Sequence, residues 1–121
     1  MPFQYLLSNL LADVPGAVGA IVLDEEGEAV EWVSRNTRDP YDLKVEGAYH
    51  SIFKRQLADA SEASVSGRLC SYIFAGHDLV TLTWLLPHGY YVLLVMRRGG
   101  SPAVASYHLR RVARALELEL R

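Results

Sequence analysis

The chain has 121 residues, half of them hydrophobic and 21% charged, with a formal net charge of −2. This suits a single domain over residues 1–121 with a core of its own; it excludes a disordered chain and a chain-wide basic footprint for nucleic acid. A lone cysteine, Cys70, excludes an internal disulfide and predicts a reducing, cytoplasmic setting, while Met1-Pro2-Phe3-Gln4 lacks a basic secretory start and no apolar run approaches the roughly 18 residues of a membrane span.

Phe3, Leu6, Leu7, Leu10, Leu11 and Val14 recur at spacings of three and four, which predicts an amphipathic helix ended by Pro15-Gly16. Ala17 to Leu23 is short and apolar, as a buried central strand requires. Asp24-Glu25-Glu26-Gly27 has hairpin chemistry, because glycine accepts the positive φ of the turn. Glu28 to Ser34 returns as a strand, with Ala29 and Val33 on one face and Val30 and Trp32 on the other. Arg35 to Asp42 carries four charges, Asn36 and Pro40, and reads as a surface loop.

Leu43 to about Ser61 reads as a second amphipathic helix. Val45, Tyr49, Phe53 and Leu57 step by four with Ala48, Ile52 and Ala60 beside them, and Glu46, His50, Lys54, Arg55 and Asp59 take the remaining surface. Three strands joined by short turns follow: Leu69 to Ala75, Leu79 to Leu86 and Tyr90 to Met96. After Arg97-Arg98-Gly99-Gly100, Ser101 as N-cap and Pro102 in the first helical position open a last helix. Its apolar stripe is Ala105, Leu109, Val112, Leu116 and Leu120; Arg110, Arg111 and Arg114 lie outside it, and Glu117 and Arg121 can pair at i, i+4. The predicted order α-β-β-α-β-β-β-α describes an α+β domain with a five-stranded, mainly antiparallel sheet covered by helices.

The stretch Leu10-Leu11-Ala12-Asp13-Val14-Pro15-Gly16-Ala17-Val18-Gly19-Ala20-Ile21-Val22-Leu23-Asp24 resembles the opening of the Roadblock (dynein light-chain) family. That opening is a helix, a Pro-Gly break, a small-residue strand and an acidic turn, with glycine at Gly27. The tyrosine-containing final strand leading into a C-terminal helix is similar too, and the likeness spans nearly the whole chain. Profilin-like and longin-like domains share much of the layout. The resemblance implies a small homo- or heterodimer. It further implies, from the bacterial MglB-like branch, binding of a Ras-like GTPase and promotion of its hydrolysis. In that family the middle helix and the neighbouring edge strand build the dimer, which here corresponds to residues 43–61 and 67–76. The charged loop from Arg35 to Asp42 departs from the small residues of many relatives.

No catalytic constellation is visible. His50, His77, His88 and His108 have no metal-ligand spacing with a cysteine or a second histidine, so no metal or cofactor is expected. Cys70, alternating with apolar neighbours in a predicted strand, reads as a small buried hydrophobe. Arg97-Arg98-Gly99-Gly100-Ser101 before a helix start reads as a connection with solvated arginines, with anion binding as its alternative. Asp24, Glu25 and Glu26 read as a soluble hairpin tip.

The candidate functional element is therefore a protein interface. Tyr49, Ile52, Phe53, Leu57, Tyr72 and Phe74 are expected at a dimer or partner contact, with His50, Lys54 and Arg55 as its polar rim. Tyr72-Ile73-Phe74 lies in a predicted edge strand without proline, which a second copy would cover. Arg110, Arg111 and Arg114 suit an acidic partner, anionic lipid or solvent. The reading is a homodimeric regulator of a small GTPase; its alternatives are a structural adaptor without effect on turnover and a small-ligand sensor.

Overall fold

The computed structural model describes residues 2–35 and 40–120. In chain order these form α1 (Pro2–Asp13), β1 (Ala17–Leu23), β2 (Ala29–Ser34), α2 (Pro40–Ala63), β3 (Ser71–Ala75), β4 (Leu79–Leu85), a 3₁₀ turn at Pro87–Gly89, β5 (Tyr91–Arg97) and α3 (Pro102–Glu119). The five strands make one sheet in the order β2-β1-β5-β4-β3. β1 pairs antiparallel with β2 and β5, and β4 pairs antiparallel with β3 and β5. The chain crosses from one sheet edge, β2, to the other, β3, by way of α2.

The central strands β1 and β5 are buried on both faces, which is why they read as continuous apolar runs. On one face Ala20, Val22, Val92, Leu94 and Met96 pack against Leu7 and Leu10 of α1 and Leu109 and Leu116 of α3. On the other, Val18, Ile21, Leu23, Tyr91, Leu93 and Val95 meet Leu43 of α2. Local signals hold the ends in place. Ser101 Oγ accepts from Val104 N at 3.2 Å, capping α3 as its sequence predicts. Asp24 Oδ1 accepts from the backbone N–H of Glu26 and of Glu28, and Gly27 takes φ 89°, so the acidic turn is a self-capped hairpin.

Several sequence expectations are corrected. A bulge between Val22 and Leu23 of β1 and their β2 partners breaks the alternation, so Val30 joins Val33 on the α1/α3 face and Ala29 joins Trp32 on the α2 face. The loop read from Arg35 to Asp42 is shorter, because α2 begins at Pro40; residues 36–39 lie outside the described residues. Arg35 is exposed, and its guanidinium donates to Ala17 O at 2.7 Å and Leu11 O at 2.9 Å, tying β2 to α1. β3 starts at Ser71, which leaves Cys70 ahead of the strand and exposed, contrary to its reading as buried. The Glu117–Arg121 pair falls outside the described residues.

Candidate docking surface on α2 and β3

α2 packs on β1 and β2. Gly47 has no side chain, so the helix sits close enough for its carbonyl to accept the Tyr91 hydroxyl at 2.8 Å. A Cβ at Gly47 would fall 2.6 Å from Leu23 Cδ2. Among the described side chains of the helix, Leu43, Gly47, His50 and Ser51 are the buried ones. Of the apolar series stepping by four, Tyr49 is 56% exposed and Leu57 40%, Val45 is half-buried, and the neighbouring Ile52 is 48% exposed. Phe53 is half-buried between the two faces.

His50, expected at the polar rim, has 0% exposure, the largest departure among the candidate residues. Its Nδ1 lies 2.7 Å from the Tyr72 hydroxyl and its Nε2 lies 3.3 Å from Glu46 Oε1. A carboxylate only accepts, so Nε2 carries the hydrogen and Nδ1 accepts from Tyr72. Burial holds the imidazole below its ordinary value while Glu46 opposes that shift, and burial also raises the Tyr72 phenol. Around this link the rings interlock: His50 meets Phe53 edge-on at 5.1 Å and Phe74 edge-on at 5.6 Å, and Phe53 stacks on Phe74 at 5.3 Å. The aromatic group joins α2 to the edge strand.

β3 is that edge, and its register sets which side chains join. Tyr72 lies opposite Thr83 and Phe74 opposite Thr81, on the α2 face; Ile73 lies opposite Leu82 and points to the other side. Phe74 is 44% exposed and Tyr72 half-buried. Thr83 Oγ1, beside Tyr72 in register, is buried without a hydrogen-bond partner among the described residues.

The structure thus brings Tyr49, Ile52, Phe53, Leu57, Tyr72 and Phe74 to one side of the molecule as an apolar platform beside a bare strand. Of the three rim residues, Arg55 alone is exposed. Lys54 is half-buried, its Nζ 4.9 Å from the Tyr91 ring and donating to Gly89 O at 3.4 Å, and burial lowers its affinity for the proton. Glu46 and Gly47 were missed by the sequence reading. The i, i+4 spacing of Glu46 and His50 was available as a signal; the pairing of His50 with Tyr72, 22 residues on, was not.

A cavity of about 180 Å³ opens under the first turns of α2, floored by Val18, Leu43 and Val95, with Asp42 and Glu46 at its side. It falls short of the roughly 300–1,000 Å³ of small-molecule sites. Among the described residues no group of three or more His, Cys, Asp or Glu could hold a metal ion, and no helix is long and apolar enough to cross a membrane.

No protein-family model matches the chain, and no curated protein matches it in sequence. Solved structures do. A Roadblock/LC7 domain from Streptomyces avermitilis superposes with a TM-score of 0.85 at 17% identity, over 97% of this chain and 96% of that one. The gliding protein MglB from Thermus thermophilus superposes at 0.84 and 15% identity, over 95% and 85%. MglC from Myxococcus xanthus superposes at 0.73 and 20% identity, over 98% and 99%. The fold is that of Roadblock/LC7 domains.

Proposed function

From the premise of a Roadblock/LC7 fold, we propose that the chain is a homodimeric, non-catalytic docking module that binds and regulates a small Ras-like GTPase. The observation that carries this reading is the platform of Tyr49, Ile52, Leu57 and Phe74, exposed beside the edge strand β3. Large exposed apolar groups next to an unpaired edge are a liability for a lone chain and an asset for a dimer. Pairing β3 with its own copy across a two-fold axis covers both at once. The regulatory role beside a GTPase is what the sequence resemblance implies, and the fold shared with solved structures of MglB is consistent with it. Such a module contributes no nucleophile. Acceleration of hydrolysis would arise from ordering the partner's switch segments and its own catalytic groups.

The test is sedimentation velocity of the purified chain at micromolar concentration, alone and mixed with the Ras-like GTPases of its source, loaded with GTP or GDP. A dimer that captures one GTPase in its GTP form is the expected result. Phe74→Glu should give a folded monomer, and Arg55→Glu should weaken capture while leaving the dimer intact. Lys54 is unsuited to this test because its ammonium is packed against Tyr91. A wild-type monomer overturns the dimer reading. Capture without a change in nucleotide turnover turns the reading into that of an adaptor.

A further inference from the structure

On the opposite face of the sheet, α3 presents a second unusual surface. Its buried residues, Ala105, Leu109, Val112, Ala113 and Leu116, form the inner stripe. The outer stripe runs Val104, Tyr107, Arg111, Arg114, Leu118, spaced three and four residues apart, with Arg110 alongside. Val104 is 43% exposed, Tyr107 61% and Leu118 64%, and all three arginines are exposed.

Three properties set this stripe apart from an ordinary solvated face. Its cations are all arginines and none a lysine, and arginine is the residue that grips carboxylates bidentately. None of the three arginines makes an ion pair among the described residues, although Glu117 is three positions from Arg114. None lies in the last turn of the helix, so they do not serve its C-terminal dipole. Arg111 instead leans toward the Tyr107 ring, 5.8 Å from its centroid. It also borders a groove of about 260 Å³ between α1 and α3, with Leu6, Asn9, Asp13 and His108.

We propose that this stripe is a second docking surface, separate from the α2 platform, and that its occupant is an acidic amphipathic helix of a partner protein. The spacing is that of a coiled-coil seam, apolar at both ends and cationic in the middle. Tyr107 and Leu118 stand about 16 Å apart along the axis, three turns of a facing helix. Such a helix sets carboxylates opposite Arg111 and Arg114 and apolar side chains opposite Tyr107 and Leu118. Tyrosine and arginine are the residue types that dominate binding energy at interfaces. An anionic membrane fits less well, because Glu117 and Glu119 flank Leu118 and the apolar groups are isolated side chains instead of a continuous face.

The probe is a capped, fluorescently labelled helical peptide whose seam positions read Leu, Leu, Glu, Glu, Leu; its control carries Lys in place of the two Glu. Fluorescence anisotropy with the full chain should give a Kd below about 100 µM for the Glu peptide, weakening at least tenfold for the control and for the Arg111→Gln/Arg114→Gln variant. The control peptide on the unaltered chain keeps the test independent of how that variant folds. Equal affinity for both peptides, or no binding of the Glu peptide, overturns the proposal. So does sedimentation of the chain with phosphatidylserine vesicles in the absence of peptide binding, which would assign the stripe to lipid.

Discussion

An imidazole with both nitrogens engaged and no access to water is held in one protonation state by its surroundings. At His50 those surroundings are Glu46 on its own helix, the Tyr72 hydroxyl from β3, and beyond it the Tyr91 hydroxyl of β5, which is bonded to Gly47 O. Adding a proton makes Nδ1 a donor and forces the Tyr72 hydroxyl to find another acceptor, for which Thr83 Oγ1 is the neighbour in register. Because burial holds the folded pKa below the ordinary value, the unfolded chain takes up the proton first as pH falls. The stability contributed by neutral His50 is therefore complete above its unfolded pKa of about 6.5 and is lost as pH drops toward the folded value, by at most about 1.4 kcal/mol per pH unit. Thermal melts of wild type and His50→Phe from pH 8 to pH 5 check this. The wild-type advantage should shrink below about pH 6.5, and a constant difference would mean that His50 does not titrate in this window.

The helix α2 is where the sequence reading and the structure part most. Element order, the extent of β1, the N-cap at Ser101 and the edge position of β3 were legible, since each follows from local chemistry or from apolar runs. The inner face of α2 was not, because hydrophobic periodicity assumes that the largest apolar residues point inward. Here the close approach allowed by Gly47 fills the inner face with Leu43, Gly47, His50 and Ser51, and Tyr49, Ile52 and Leu57 are left outside. The exposed side chains Tyr49, Ile52 and Leu57 are among those the sequence reading placed at a partner contact. The close approach makes a sharp prediction. Gly47→Ala gains up to about 1 kcal/mol of helix propensity, yet its methyl would sit 2.6 Å from Leu23, a side chain with 0% exposure. Overpacking costs of about 1–3 kcal/mol outweigh that gain. Urea unfolding should show a net loss of about 1 kcal/mol, and a stabilised variant would mean that α2 can lift away without penalty.

At the scale of the molecule, the five-stranded sheet separates two surfaces of different chemistry. The aromatic platform lies with α2 and β3 on one face, while the arginine stripe lies on α3, which packs with α1 on the other. β1 and β5 between them are buried on both sides. Residues that share no partner and sit on opposite faces couple weakly, by less than about 0.5 kcal/mol. Self-association through α2 and β3 should then leave the α3 stripe open, so that a dimer carries two such stripes facing outward. The Phe74→Glu monomer should bind the Glu-bearing peptide with a Kd within about twofold of wild type, and the dimer should bind two peptides in isothermal titration. One peptide per dimer, or a peptide affinity that changes when the dimer is broken, would mean that the sheet transmits between its faces and that the two surfaces act as one site.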